Sequence, residues 1–156
     1  MNYRDFKEFC FNHLSCWSLY SEPVTELNAM IVAHESLGCK FIRQIGGGPA
    51  RSWWQIEKPT HDDAWDRSRS IRKNAAKAGI KRDWSKIEDP VYALFVARHI
   101  IMLDPKPVPT KPADMARWCK EKWNGGRLVD GKWIGGGKAT PEKYLKDYHA
   151  WQEGKL

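Results

Sequence analysis

One carboxyl group in the sequence lies where a proton donor could work. Glu35 falls in the last turn of a predicted apolar helix. The partial negative charge at a helix C-terminus disfavours a charged carboxylate, so we expect the pKa of Glu35 to be raised. Apolar neighbours act in the same direction, and the sequence supplies Ile31, Trp53 and Trp54. A carboxylic acid that stays protonated near neutral pH can act as a general acid on a glycosidic bond, and Glu35 is therefore the candidate catalytic residue.

The presence or absence of a second catalytic carboxylate decides between the possible mechanisms of glycosidic-bond cleavage. Retaining and inverting glycosidases use two carboxyl groups, about 5 to 5.5 Å or about 6.5 to 9.5 Å apart. Glu57 is the first candidate for the second group, followed by Asp62 and Asp63. Both a one-carboxylate and a two-carboxylate reaction remain open at this point.

The residues around and after Glu35 form an ordered pattern. Ala-His-Glu-Ser at 33–36 is followed by Gly-Gly-Pro-Ala-Arg-Ser-Trp-Trp-Gln-Ile-Glu at 47–57. This resembles the signature of soluble lytic transglycosylases and goose-type lysozymes, in which Glu-Ser ends a helix and a Gly-Ala-x-Gly-x-x-Gln loop follows. Small phage-encoded lysozyme-like proteins are similar over more of the chain, through Gln-Ile-Gly-Gly-Gly-Pro-Ala at 44–50 and Gln-x-Glu-x-x-Thr-His-Asp-Asp at 55–63. Trp-Asn at 123–124 resembles the Tyr-Asn pair that the family places late in its sugar-binding groove.

The resemblance implies an enzyme that cleaves the β-1,4 bond between N-acetylmuramic acid and N-acetylglucosamine in peptidoglycan, with Glu35 as the acid. It also implies that two neutral amides bind sugar hydroxyls and N-acetyl groups, because an amide can both donate and accept hydrogen bonds. Aromatic faces line many carbohydrate grooves, so we expect at least one tryptophan near the motif to contact sugar. The candidate substrate-binding residues are Gln55, Asn124, Trp53, Trp54, Trp123, Ser36 and Thr60.

The sequence departs from one part of the family pattern. Phage lysozymes carry an Asp and a Thr at set distances after the catalytic Glu, and Gln44 and Ala50 occupy those positions here. The departure favours the transglycosylase-like reaction, in which a group of the sugar itself replaces the second carboxylate. Arg51 and Trp53 stand where family members have smaller residues, so the groove has its own local shape.

Composition predicts one folded domain over residues 1–156. The length suits a single core, and the apolar content of 42% and charged content of 29% exclude disordered and collagen-like classes. A net charge of +7 favours polyanionic partners. We expect bacterial peptidoglycan, with anionic cell-surface polymers as additional partners. A run of Arg and Lys at 67–86 predicts one basic helix face, either simply solvated or adhesive to such polymers.

The elements that position these residues are predicted to be mainly α-helical, at most α+β, in a lysozyme-like arrangement. Helical periodicity covers 3–15, 21–38, 60–79, the segment after Asp89-Pro90, 113–123 and the segment after Thr140. The stretch 39–58 breaks that period and predicts a loop or irregular hairpin beside the groove. Asp130-Gly131 predicts a short hairpin. The four cysteines lack zinc-site spacing and predict buried free thiols, with a Cys10 to Cys16 bridge as the alternative.

The sequence shows neither a membrane span nor a signal peptide. We therefore expect synthesis in a bacterial host cytoplasm and action on the wall after lysis-associated release or as a virion component, from a phage or prophage source. We expect no metal or cofactor, because HExxH and Cys/His ligand spacings are absent, and we expect a monomer. The alternative is a non-catalytic basic module that binds nucleic acid or cell wall, although no nucleic-acid motif supports the first of these partners.

Overall fold

Seven α-helices and one small hairpin make up the computed structural model, which describes all residues 1–156. A 3₁₀ turn lies at Trp84–Lys86, and a π-helical turn at Cys119–Trp123 continues the helix that ends at Trp118. The elements are α1 (Tyr3–Cys16), α2 (Glu22–Glu35), α3 (Lys58–Arg67), α4 (Arg69–Ala78), α5 (Pro90–Met102), α6 (Pro112–Trp118), β1 (Arg127–Val129), β2 (Lys132–Ile134) and α7 (Pro141–Gln152). The prediction of a mainly α fold is confirmed.

Side-chain caps explain where most helices begin. Ser21, Asp89 and Thr140 each accept a hydrogen bond from a backbone N–H in the first turn of α2, α5 and α7, which confirms those predicted starts. The predicted start of α3 at Thr60 is wrong by two residues. Pro59 lies in the first turn of α3, where its fixed φ favours the helix and its missing N–H costs nothing, so the helix begins before Thr60.

Two helices, α2 and α5, form the centre of the core. Nine residues of α2 and eight of α5 are buried, and a helix that is apolar on nearly all sides belongs in the interior. The remaining helices surround them, and α7 packs along α2. Buried apolar side chains form one continuous cluster of 32 residues. Glu35 is the last residue of α2 and lies where this central helix leaves the core.

The β structure is limited to one two-stranded hairpin and isolated bridges. β1 pairs with β2 in antiparallel register, Leu128 opposite Trp133. Asp130 and Gly131 both have positive φ, which confirms the predicted tight turn. The stretch after α2 is irregular, as predicted, with bridges from Arg51 to Arg43 and Ile56. None of the helices has both the length and the apolar character needed to cross a membrane.

All four cysteines are unpaired. Cys10 and Cys119 are buried, as expected, and Cys39 is partly buried. Cys16, at the end of α1, is exposed, which corrects the expectation that all four thiols are buried. The Cys10 to Cys16 bridge does not form.

Candidate active site

The C-terminal end of α2 opens into a cleft of about 690 Å³ that Glu35 and its neighbour His34 help to line. Helix α2 ends at Glu35 because the next residue, Ser36, has left helical geometry. The Ser36 hydroxyl donates to the Val32 carbonyl at 3.1 Å and accepts the Cys39 N–H at 3.2 Å, which closes the last turn. Glu35 is thus held at the boundary between the core and the cleft.

Tyr144 of α7 fixes the Glu35 carboxyl group. The Tyr144 hydroxyl is fully buried and donates to Glu35 Oε1 at 2.8 Å. Burial raises the pKa of Glu35, while the hydrogen bond from Tyr144 and the nearby His34 ring oppose that rise. Burial and the adjacent Glu35 charge raise the pKa of Tyr144 as well. The result is a carboxyl group with a raised pKa, oriented by a neutral phenol.

His34 at the end of α2 contacts two residues of α7. The His34 ring lies 4.1 Å from the Tyr144 ring, centroid to centroid, and its Nδ1 is 2.8 Å from Asp147 Oδ2. Asp147 is buried and its other oxygen accepts from Lys143 at 2.5 Å. Tyr144 is therefore positioned by its own helix and by the residue that precedes Glu35.

Replacement of Tyr144 by Phe is expected to raise the pKa of Glu35 further, which an NMR titration of the Glu35 side-chain carboxyl carbon measures. The hydrogen bond from Tyr144 lowers the pKa of Glu35, so its loss raises that pKa and keeps the acid protonated to higher pH. Tyr148→Phe is the matched control, because Tyr148 lies one turn further along α7 and donates to Glu26. An unchanged Glu35 titration in Tyr144→Phe, or an equal shift in Tyr148→Phe, contradicts the role of the Tyr144 hydroxyl in setting this pKa.

The cleft brings together residues that are far apart in the sequence. The end of α2, the irregular loop before α3, the start of α3, the π-helical turn and the glycine run after β2 all contribute to its lining. Six of the nine predicted site residues line it, namely Glu35, Gln55, Glu57, Thr60, Trp123 and Asn124. The predicted irregular loop therefore does lie beside a groove that contains Glu35.

Gln55 lines the cleft and is held in place by its own loop. Its side-chain amide donates to the carbonyls of Ser52 at 2.7 Å and Ile42 at 3.3 Å. Ser52 and Gln55 both have positive φ, which is uncommon for residues with a side chain and clusters at functional sites. The amide N–H groups of Gln55 thus brace the loop. Its Oε1 remains as an acceptor.

Asn124 presents the opposite hydrogen-bonding group. Its Oδ1 accepts from the Lys120 ammonium at 2.9 Å. Its amide N–H groups make no hydrogen bond within the protein, and they remain as donors at the cleft. One neutral amide acceptor and one neutral amide donor therefore line the same cleft.

Three of the predicted substrate-binding residues do not line the cleft. Trp54 is fully buried and donates to Asn28 Oδ1 at 2.8 Å, so it is a core residue and its predicted sugar contact is wrong. Trp53 packs on Phe6 and Phe9 of α1, away from the cleft lining. Ser36 is fully buried in the turn that ends α2. These three residues pack in the core or end a helix. A motif match in the sequence does not distinguish such structural roles from contact with a ligand.

Only two carboxyl groups line the cleft, those of Glu35 and Glu57. Glu57 is exposed at the N-terminus of α3 and makes no side-chain capping bond. Asp62 is paired elsewhere, since the Lys58 ammonium, the His61 ring and Arg82 hold its pKa well below the usual range. Asp63 pairs with Arg67. The two aspartates are therefore excluded as partners for Glu35, and Glu57 stays the candidate.

Neither Tyr144 nor Lys120 was among the predicted site residues, because in the sequence Tyr144 is one of several large apolar residues at helical spacing after Thr140. A buried tyrosine hydroxyl needs a partner, and that requirement is the one signal that could have pointed to Tyr144. Nothing in the sequence distinguishes Lys120 from the exposed lysines around it. The structure contains no group of three or more His, Cys, Asp or Glu side chains that could hold a metal ion.

Comparison with known proteins returns no match, whether against family models, curated proteins or solved structures. The local motif and the geometry of the cleft therefore carry the functional argument.

Proposed function

We propose that this protein is a peptidoglycan-degrading muramidase, of the lytic transglycosylase or lysozyme type, that cleaves the β-1,4 bond between N-acetylmuramic acid and N-acetylglucosamine. Glu35 acts as the general acid. A source in a phage or prophage and an action on the bacterial wall belong to the same proposal.

The observation that carries the proposal is the position of Glu35. Its carboxyl group is largely withdrawn from solvent yet lines an open cleft, and burial raises its pKa. A protonated carboxyl group in contact with substrate is what general acid catalysis of glycoside cleavage needs. Gln55 Oε1 and the Asn124 amide N–H groups supply an acceptor and donors for sugar hydroxyl and acetamido groups.

The transglycosylase reaction is the preferred form of the proposal. Glu35 protonates the leaving glycosidic oxygen, and the C6 hydroxyl of the muramic acid attacks the anomeric carbon. The deprotonated Glu35 takes the proton of that hydroxyl, so no second carboxylate is required and the product is a 1,6-anhydro sugar. In the lysozyme form, water is the attacking group and Glu57 is the second carboxylate.

Digestion of purified peptidoglycan tests the proposal directly. We expect soluble muropeptides, and mass spectrometry should show them lighter by one water than the hydrolysis products. Cleavage to hydrated products supports the lysozyme form instead. The absence of any soluble product from walls of several bacterial chemotypes contradicts the proposed function.

A second candidate function is a non-catalytic binding module on the same fold, which the basic surface of α4 favours. Arg69, Lys73 and Lys77 are exposed at successive i, i+4 positions. None of them forms a salt bridge, and like charges at this spacing cost helix stability. A zymogram on bacterial walls, run beside a DNA gel shift, separates the two functions. DNA binding without wall cleavage would favour the module.

Replacement of Arg69, Lys73 and Lys77 together by Gln is expected to weaken binding to whole walls at low salt. Long-range attraction to the anionic wall is screened within about 8 Å at physiological ionic strength, so the difference should disappear as salt is raised. Cleavage of short soluble oligomers should be unchanged, because α4 does not line the cleft. The measurement is a wall pull-down over a range of salt concentrations.

The control triple variant replaces Lys106, Lys111 and Lys146 by Gln, which removes the same charge from exposed positions outside α4. If both triple variants lose wall binding equally, only net charge matters. Unchanged binding by the α4 variant contradicts an adhesive role for this surface.

A further inference from the structure

A lysine ammonium is buried in the wall of the cleft without a carboxylate partner. Lys120 lies in the π-helical turn after α6, and only 1% of its surface is exposed. Four oxygens share the three N–H donors of its Nζ: Asn124 Oδ1 at 2.9 Å and the carbonyls of Gly135 at 3.1 Å, Gly136 at 3.2 Å and Gly137 at 3.3 Å. A buried charge has to be compensated by hydrogen bonds when no opposite charge is present. These four oxygens are the compensation.

The glycine run is shaped to receive the ammonium. Gly135, Gly136 and Gly137 have φ values of 75°, 69° and 65°. Residues other than glycine pay a steric cost in this left-handed region, and in this conformation all three carbonyl oxygens lie within 3.3 Å of Lys120 Nζ. Three carbonyl oxygens therefore converge on one point. That point is occupied by Lys120 Nζ.

Close packing around Lys120 and Asn124 leaves no space for a side chain at Gly126 or Gly136. A Cβ atom added to Gly126 would lie 2.5 Å from Lys120 Cε. A Cβ atom on Gly136 would overlap Asn124 Oδ1 and the Asn124 carbonyl. The lysine, the asparagine and the two glycines thus form one tightly packed unit, and its outer surface is part of the cleft, since Asn124, Gly136 and Gly137 line it.

The ammonium also decides which way Asn124 points. A lysine ammonium has three donors and no acceptor, so the amide atom that faces it must be oxygen. The amide nitrogen is then left on the other side, with its N–H groups available to the cleft. Without the ammonium, nothing in the protein distinguishes the two orientations of the amide, because Asn124 Oδ1 makes no other hydrogen bond within the protein.

We infer that Lys120 is a positioning residue that builds this wall of the cleft and presents Asn124 to substrate as a hydrogen-bond donor. We call the hydrogen-bonded unit of the Lys120 ammonium, Asn124 and the glycine run 135–137 the latch. The latch favours a substrate oxygen that accepts a hydrogen bond. The role in substrate binding rests on the proposed function. The hydrogen bonds that form the latch do not depend on the proposed function.

Lys120→Met tests the inference, because methionine keeps an unbranched apolar stem and removes the ammonium. KM for soluble peptidoglycan fragments should rise roughly tenfold, the size of one lost hydrogen bond. kcat should change little, since Lys120 contacts neither Glu35 nor Tyr144. Lys146→Met, at an exposed and unpaired lysine of α7, is the matched control. A lower melting temperature with an unchanged KM would show a merely structural lysine and overturn the inference.

A second readout needs no substrate. The side-chain amide resonances of Asn124, assigned by their loss in Asn124→Ser, should shift in Lys120→Met and stay in place in Lys146→Met. The amide signals of Gly136 and Gly137 should shift with them. Unchanged resonances overturn the latch even if the protein cleaves walls. If the protein cleaves no wall, the proposed function fails, while these shifts still decide whether the latch exists.

Chemical rescue covers the case in which Lys120→Met does not fold. Lys120→Ala leaves space for propylammonium, which replaces the missing stem and its charged end. Refolding with propylammonium should restore the Asn124 resonances and bring KM back towards the wild-type value, whereas 1-propanol should do neither. Equal rescue by the two compounds, or rescue by neither, overturns the role of the ammonium.

Discussion

Replacement of Glu35 by Gln is expected to abolish wall cleavage while the fold and substrate binding are retained. The amide has the shape of the acid and can still accept the hydrogen bond from Tyr144 at its oxygen, but it cannot deliver a proton. General acid catalysis contributes about 10² to 10⁴ to the rate, and a group that must also serve as the base should lie at the upper end. The measurements are the initial rate of wall solubilisation and the circular dichroism spectrum.

Glu57→Gln is the matched control for this variant, because it makes the same substitution at the other carboxyl group of the cleft. In the transglycosylase form, Glu57→Gln should keep most of the activity and the anhydro products. Loss of hydrated products in Glu57→Gln would establish the two-carboxylate lysozyme form. Full activity in Glu35→Gln would overturn the assignment of the acid and with it the proposed mechanism.

Trp54→Ala is expected to cost about 3 to 5 kcal/mol of unfolding free energy, the range for deletion of a large buried aromatic side chain. Trp54 is fully buried, packs on Phe6 and donates to Asn28. The substitution would leave a cavity and an unpaired amide oxygen. Since a domain has only about 5 to 15 kcal/mol of net stability, the loss should be plain in a urea or thermal unfolding curve.

Trp123→Ala provides the contrast, because Trp123 lines the cleft and is only partly buried. It should lower affinity for peptidoglycan fragments and reduce stability much less than Trp54→Ala does. Comparable stability losses in the two variants would mean that Trp123 is a core residue as well. If Trp54→Ala lowers affinity for peptidoglycan fragments at temperatures where it remains folded, Trp54 does contribute to substrate binding.

Much of the helical architecture was predictable because its signals are local. Apolar residues at helical spacing define the central helix α5, and capping side chains such as Ser21, Asp89 and Thr140 mark where helices begin. The Asp130-Gly131 turn was predictable for the same reason, since its dihedral angles depend on the two residues themselves. The start of α3 was misplaced because Thr60 and Pro59 offer competing local signals, and proline at the first turn prevailed.

The sequence alone placed Glu35 in the last turn of α2, because helix period is a property of a short segment, although the helix ends at Glu35 and not at the predicted Gly38. Whether its pKa is raised depends on burial, and burial depends on α7, which is more than 100 residues away in the chain. Tyr144 reads in sequence as one more member of an apolar stripe. Only the packing of α7 on α2 shows that its hydroxyl is directed at the Glu35 carboxyl group.

The two tryptophans after the glycine-rich loop show the same limit more sharply. The two residues are adjacent and of the same type, yet Trp53 packs on α1 and Trp54 is fully buried in the core. Neither lines the cleft, although their neighbour Gln55 does. Lys120 is one of many lysines, yet it alone is buried against converging carbonyl groups. The sequence by itself determined most of the helices, several of their capped starts and the candidate acid, because these depend on interactions within a few residues. The tertiary structure decided which polar groups are buried and what they face, since desolvation and hydrogen-bond partners come from segments that are distant along the chain.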